Sequence, residues 1–314
     1  SGVSARRASV AMRSTSARVR VSAMRVNSTR PAAVAGTWYP ASPGALARDV
    51  DGYVDVAAAD NIRLGGQLHA VVAPHAGLMF SGPVGAYAYR AAADAGPFDA
   101  VIISGPSHFV AFDGVAVYPS GAFETPLGPA AIHESIAADL LAASPLIQSV
   151  PSAHRREHSI EMQLPFIRRL LPHAAIVPAL MGYQTRDTIR AFADALAGVV
   201  ARRPERVLLV ASTDLSHYFD GATAAALDRR VSQCISASDP EGFLQLFEDY
   251  PEGERGRFVA CGGGPAIAVM FAAHALGATD GRVLKYMHSG QISGDNSAVV
   301  GYLAGALGKF PDVH

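Results

Sequence analysis

Along the chain the apolar positions fall into two alternating kinds of run. Continuous runs at residues 68–73 (LHAVVA), 99–104 (DAVIIS), 174–181 (AAIVPALM) and 206–211 (RVLLVA) are those of strands buried on both faces. Between them lie segments with apolar residues three and four apart, the helical spacing. One opens at Ser42-Pro43-Gly44 and carries Leu46, Val50, Tyr53 and Val54. Another follows residues 74–77, with Gly82-Pro83 expected in its first turn, where a missing N–H is tolerated. Further helices are predicted at 133–143, 159–171 (Ile160, Leu164, Ile167, Leu171 on one side), 185–201, 222–236, 240–249 and 265–276. Strands are predicted at 115–118, 282–288 and 297–304, and loops at 30–40, 123–128 and 151–158. This alternation predicts an α/β class, with a central parallel or mixed sheet flanked by helices. No repeat or linker divides the chain beyond residue 30, so one domain is expected over residues 30–314.

Composition narrows the classes. The chain has 314 residues, half of them apolar, enough for a large core. No run reaches the roughly 18 apolar residues of a membrane helix. The net charge of −1 hides an asymmetry: residues 1–30 hold seven Arg and no acid, leaving 19 basic against 27 acidic residues in the remainder. That mildly acidic body gives no charge-based case for nucleic-acid binding. Two distant cysteines, Cys234 and Cys261, do not form a disulfide framework and fit a reducing, cytoplasmic compartment. The Ser/Arg-rich segment 1–29 is read as an arm outside the fold. It has the composition of a transit peptide but equally of a disordered extension ahead of Met24, and it lacks the apolar stretch of a secretory signal.

Candidate chemistry sits where the strands end. His75 follows the first strand in Pro74-His75-Ala76-Gly77, His108 the second in Gly105-Pro106-Ser107-His108, and His217 a third in Asp214-Leu215-Ser216-His217. Open α/β sheets keep ligands beyond the carboxyl ends of their strands, and parallel strands bring those ends side by side. A single such His is more often a structural hydrogen-bonder; three at equivalent ends point to one metal or polar site. Imidazole suits Zn, Cu, Fe and Ni alike.

Cys261, ahead of three glycines and a proline at a helix start, stands where a thiol ionises readily and can ligate metal. Taken alone, it is better read as a small buried residue near a Gly-rich turn. Asp214 can orient His217 or work in acid–base chemistry, and equally can cap the next turn. His158 and Glu161 stand one helical turn apart and could share a cleft, or cap and pair at the surface. Trp38 and Tyr39 read as a packing lid or as an aromatic pocket wall. His154-Arg155-Arg156-Glu157-His158 fits H-x-x-E-H, a zinc-peptidase pattern that requires a continuous helix. Gly262-Gly263-Gly264 could cradle an anion but lacks the Lys-Ser/Thr of a nucleotide loop.

Taken together, Pro74-His75-Ala76-Gly77, Gly105-Pro106-Ser107-His108, residues 157–165 (EHSIEMQLP), Asp214-Leu215-Ser216-His217 and Cys261-Gly262-Gly263 occur in the order of the Memo family. Arg30-Pro31, residues 36–40 (GTWYP), Ser289-Gly290 and Gly301-Tyr302 add to the match, and the resemblance covers roughly residues 30–305. It implies a fold similar to class III extradiol dioxygenases, which hold non-haem iron with two histidines and a carboxylate. It also implies a metal site of His75, His108 and Cys261, with iron or copper as the ion and zinc as a further candidate. His217, Asp214 and His158 would be supporting or acid–base groups. Prokaryotic members, called AmmeMemoRadiSam system protein B, imply radical-SAM and AMMECR-type partners; eukaryotic members bind phosphotyrosine peptides.

A thiolate in place of the carboxylate gives the ion more charge and is itself oxidisable, so ring cleavage does not carry over. Three functions follow as expectations. The first is a metal-dependent, redox-active, dioxygenase-like oxidoreductase acting on an unidentified small molecule or peptide. The second is a non-catalytic module holding a peptide or anion in the same cleft, with Arg155 and Arg156 as anion contacts. The third is a zinc hydrolase using Glu157.

Overall fold

Four parallel strands occupy the middle of the sheet: β1 (Gln67–Ala73), β2 (Ala100–Pro106), β5 (Ala175–Met181) and β6 (Val207–Ser212). They lie in the order β1-β6-β2-β5, with Ala73 level with Ser212, Ser104 with Ala211 and Pro106 with Met181. Their apolar runs are continuous because helices cover both faces. Ile102 and Ile103 are fully buried, each contributing about 1.5–3 kcal/mol relative to exposure. The computed structural model describes residues 29–311, and the basic arm lies almost wholly outside them.

Antiparallel strands close both flanks. β3 (Val115–Val117) pairs with β5, and β4 (Ile147–Gln148) runs parallel to β3. On the other side β9 (Val299–Lys309) pairs with β1, with β8 (Asp280–His288) and, at its start, with β7 (His217–Phe219). The sheet is therefore mixed, and among the described residues it has nine strands.

The longer helices are α1 (Pro43–Ala59), α2 (Leu78–Asp94), α3 (Glu134–Ala143), α4 (Leu164–Leu170), α5 (Arg186–Val200), α6 (Gly221–Ser236), α7 (Pro240–Glu248) and α8 (Gly263–Ala275). α8 is apolar on every side and packs between α5, α7 and the sheet, as an all-round apolar helix must. No single helix among the described residues is long and apolar enough to cross a membrane.

Local expectations needed correction. α2 starts at Leu78, its first turn closed by Phe80 N and Ser81 N, which donate to Gly77 O. Pro83 thus stands in the second turn, not the first, and costs the helix one internal bond. Residues 159–171 are not one helix: a 3-10 turn, Glu161–Gln163, precedes α4, where Pro165 fits because the first-turn N–H groups have no helical partner. The supposed loop 151–158 begins with a helical turn, Pro151–His154. Thr29–Arg30, the junction of arm and fold, pairs in parallel with Ala122–Phe123.

Candidate metal centre

All four parallel strands deliver side chains to one point beyond their carboxyl ends. β1 brings His75, β2 brings His108, β5 brings Gln184, and β6 brings Ser212 and Asp214. The turn before α8 lays Cys261 against them, close to the end of β6. A Cβ on Gly262 would stand 2.5 Å from Ser212 O and 2.9 Å from Thr213 Cβ, so this approach needs glycine. Gln184 secures the turn: its Nε2 donates to Cys261 O at 2.7 Å, and its Oε1 accepts from Gly264 N at 2.7 Å.

His75 is held by groups that decide which of its nitrogens faces the centre. Ser212 Oγ donates its only hydrogen to Ser159 O at 2.6 Å and accepts from Gln163 Nε2 at 2.8 Å. Gln163 is oriented in turn, since its Nε2 also donates to Pro74 O at 3.0 Å and its Oε1 accepts from Tyr89 at 2.9 Å. Toward His75 Nδ1, 2.9 Å away, Ser212 is therefore an acceptor. Nδ1 carries the proton, and the other ring nitrogen, Nε2, faces Cys261 Sγ at 3.2 Å.

His108 repeats the arrangement with a charged partner. Glu157 is buried; its Oε1 lies 2.9 Å from His108 Nδ1 and its Oε2 accepts from His108 N at 2.6 Å. Burial opposes the Glu157 charge, but the hydrogen bond and positive charge of His108, with the N–H groups of Ser159 and His108, hold its carboxyl down at about 2. Burial likewise opposes the His108 imidazolium, yet hydrogen bonds to Cys261 and Glu157 raise it to about 10. For Cys261 burial raises the thiol, while the His75 charge and hydrogen bonds from His108 and His75 bring it down to about 6. Together these hydrogen bonds and charges favour the thiolate of Cys261, the imidazolium of His108 and the carboxylate of Glu157 over their neutral forms.

His158 completes a three-imidazole group. One nitrogen each from His75, His108 and His158 lie within 4.8 Å of one another, the spacing of a metal site. The His158 ring stacks on His108 with centroids 4.5 Å apart and meets Trp38 at 4.3 Å. Burial, and the positive charges of His75 and His108, depress it to about 3, so it is neutral. Trp38, 38 % exposed, is a wall over this ring, whereas Tyr39 is buried and donates to Glu161 Oε1 at 2.6 Å. Phe109 and Tyr183, on loops that follow strand ends, are also exposed, as is Tyr218 in β7. Tyr218 holds a left-handed backbone, φ 65°, uncommon for a bulky residue.

Other expectations resolve differently. Asp214 is buried, and burial raises its carboxyl. It accepts from His75 N at 2.7 Å, fixing the His75 loop, while the nearby His217 charge works against the effect of burial. His217 bonds through Nδ1 to Leu215 O at 2.6 Å and lies outside the three-histidine group. Glu161 does not share the cleft with His158. It is buried against Arg30, with which it pairs, and accepts from Ala33 N and Val34 N. The H-x-x-E-H pattern does not lie on a helix: the turn ends at His154, whose Nε2 bonds to Ala116 O at 3.0 Å. The zinc-hydrolase reading loses its geometric basis. Ser212, Gln163, Gln184 and the tie from Glu157 to His108 were absent from the sequence reading. Only the polar Ser-Thr-Asp ending of β6 and the buried-helix position of Gln163 hinted at them.

Residues 30–306 match the family model described as Memo-like protein. The chain belongs to the Memo family. A MEMO1 family protein of Methanopyrus kandleri is 36 % identical over 283 residues, covering 88 % of this chain and 97 % of that protein. One from Methanothermobacter thermautotrophicus is 35 % identical over 280 residues, covering 87 % and 98 %. An uncharacterized Escherichia coli K12 protein of known crystal structure shares the fold: TM-score 0.53 and 12 % identity, covering 76 % of this chain and 99 % of that one. At that identity the likeness speaks to fold alone. Three of the Memo motifs noted in the sequence, at residues 74–77, 105–108 and 214–217, lie at the strand ends that build this centre.

The donor set suits a transition-metal ion. Two histidines tied through Nδ1 and presenting Nε2 are the usual outer-tethered ligands, and a thiol brought into its ionised range is a ready third donor.

Proposed function

We propose that this Memo-family protein binds one iron or copper ion, with zinc as a competitor, through His75 Nε2, His108 Nε2 and Cys261 Sγ, and serves redox chemistry in the cytoplasm. The observation that carries this is the pair of Nδ1 tethers, Ser212 for His75 and Glu157 for His108, which leave both Nε2 atoms for the centre beside the sulfur. The ion, when bound, supplies one-electron or O₂ chemistry. Glu157 and Ser212 keep the rings oriented, Asp214 fixes the His75 loop, and Trp38 and His158 wall one side of the cleft. An unidentified small molecule or peptide is the proposed ligand, and radical-SAM and AMMECR-type proteins are the proposed partners.

The test is elemental analysis of protein freshly purified without chelator, with His75→Ala and Cys261→Ser beside it. About one equivalent of Fe or Cu, lost in His75→Ala, is the expected result. Absence of Fe, Cu and Zn, or unchanged content in His75→Ala, defeats the proposal. A second reading, a peptide- or anion-binding module without turnover, draws on exposed Arg155 and Arg156, the latter over the Phe109 ring at 5.2 Å. Peptide binding that persists in His108→Ala after metal removal favours it.

A further inference from the structure

His158 is more buried than its surroundings explain. It is 8 % exposed, its Nδ1 is shielded from solvent, and that atom has no hydrogen-bond partner. The nearest acceptor, Glu157 Oε1 at 3.4 Å, is already taken by His108 Nδ1 and by the His158 and Ser159 N–H groups. Buried polar atoms are normally satisfied, and an exception calls for a cause such as an ion. Nothing about the ring's position is loose. His108 stacks on one side, Trp38 closes another, and Arg30 pins the loop through His154 O at 2.8 Å and Glu157 O at 2.6 Å. A rigidly held imidazole with one nitrogen within 4.8 Å of nitrogens of His75 and His108 has the arrangement of a ligand.

Resting on the reading of a metal at His75 and His108, we propose that His158 is an exchangeable third ligand. The centre then has two sets sharing those two histidines: a thiolate set closed by Cys261 and an all-imidazole set closed by His158. The sets differ in softness. Thiolate favours soft ions such as Cu(I), while imidazole accommodates Zn, Cu, Fe and Ni alike. One protein can thus hold ions of different character, and can keep an ion when the Cys261 sulfur is modified.

The experiment is Co(II) titration of chelator-stripped full-length protein, read by equilibrium dialysis and visible absorption. Wild type should bind one equivalent and show thiolate-to-cobalt charge transfer. Cys261→Ala should still bind one equivalent without that band. Adding His158→Phe, which keeps a ring between Trp38 and His108 but removes both nitrogens, should weaken binding well beyond the roughly 10–100-fold that loss of an outer hydrogen bond costs a metal site. His158→Gln in the same background guards against misfolding in the Phe variant, with circular dichroism confirming the fold of each. The proposal is overturned if Cys261→Ala binds no cobalt, or if the double variants bind as Cys261→Ala does. If His75→Ala binds cobalt as tightly as wild type, the underlying site assignment falls instead.

Discussion

Glu157→Gln isolates the buried charge behind His108. One carboxylate receives four N–H groups: Oε1 takes His108 Nδ1 and the amides of His158 and Ser159, and Oε2 takes His108 N. An amide keeps one acceptor and turns its NH₂ on a donor, leaving at least one buried N–H unpaired. The carboxyl is held at about 2 against an ordinary 4.5, about 3 kcal/mol of native-state preference for the charged form. Because the folded-state value is the lower one, this stability is present above the unfolded value of 4.5 and is lost as pH falls toward 2. Urea unfolding of chelator-treated protein at pH 7 should show the variant less stable by about 3 kcal/mol with an unchanged m-value. At pH 4 the gap should narrow by about 1 kcal/mol, since the unfolded wild-type carboxyl is by then largely protonated. A difference below about 1 kcal/mol at pH 7, or one that ignores pH, refutes the assignment of this group as a buried charged anchor.

Three further outcomes follow from the same structure. Ser212→Ala removes the acceptor of His75 Nδ1–H and of Gln163 Nε2; it should cost about 1–3 kcal/mol and weaken metal binding roughly 10–100-fold, read by denaturation and by competition with a chromophoric chelator. With metal removed, alkylation of Cys261 by iodoacetamide should rise with pH through about 6, where the thiolate forms, and His75→Ala should move that midpoint upward; a midpoint in the ordinary thiol range for wild type contradicts the pairing. Arg30→Met strands Glu161 in the core beside Tyr39 and should destabilise by about 3–5 kcal/mol in thermal or urea unfolding. Arg30→Met with Glu161→Met should recover part of that loss.

The strands that carry the site were legible because burial on both faces leaves an unbroken apolar run: 68–73 and 206–211 lie within a residue of β1 and β6. The strand-end histidines were legible for the same reason, since Pro, Gly and Ser end those runs abruptly. Roles were harder to read. Spacing placed Glu161 beside His158 on an assumed helix, but the 3-10 turn rotates Glu161 into the core toward Arg30, 131 residues away in sequence. No local pattern encodes such a pairing. Glu157 and Ser212 escaped notice as tethers because each acts across strands whose adjacency is a matter of sheet order. β7 was missed because Tyr218 leaves the extended conformation in the middle of it.

Sheet order also sets a sequence of events. β1 and β2 never pair; β6, about a hundred residues later in the chain, lies between them and bonds to both. Until residues 207–212 are in place, the strands bearing His75 and His108 have no template fixing their separation, and Ser212 and Asp214 arrive on that same strand. Cys261 comes later still. A chain emerging from a ribosome therefore carries its histidines long before it has a centre. Insertion of one central strand turns scattered imidazoles into a coordinated set, with the sulfur joining last. Loading of the proposed ion would in that sense be timed by topology, and any ion captured earlier would be held by a site of different composition.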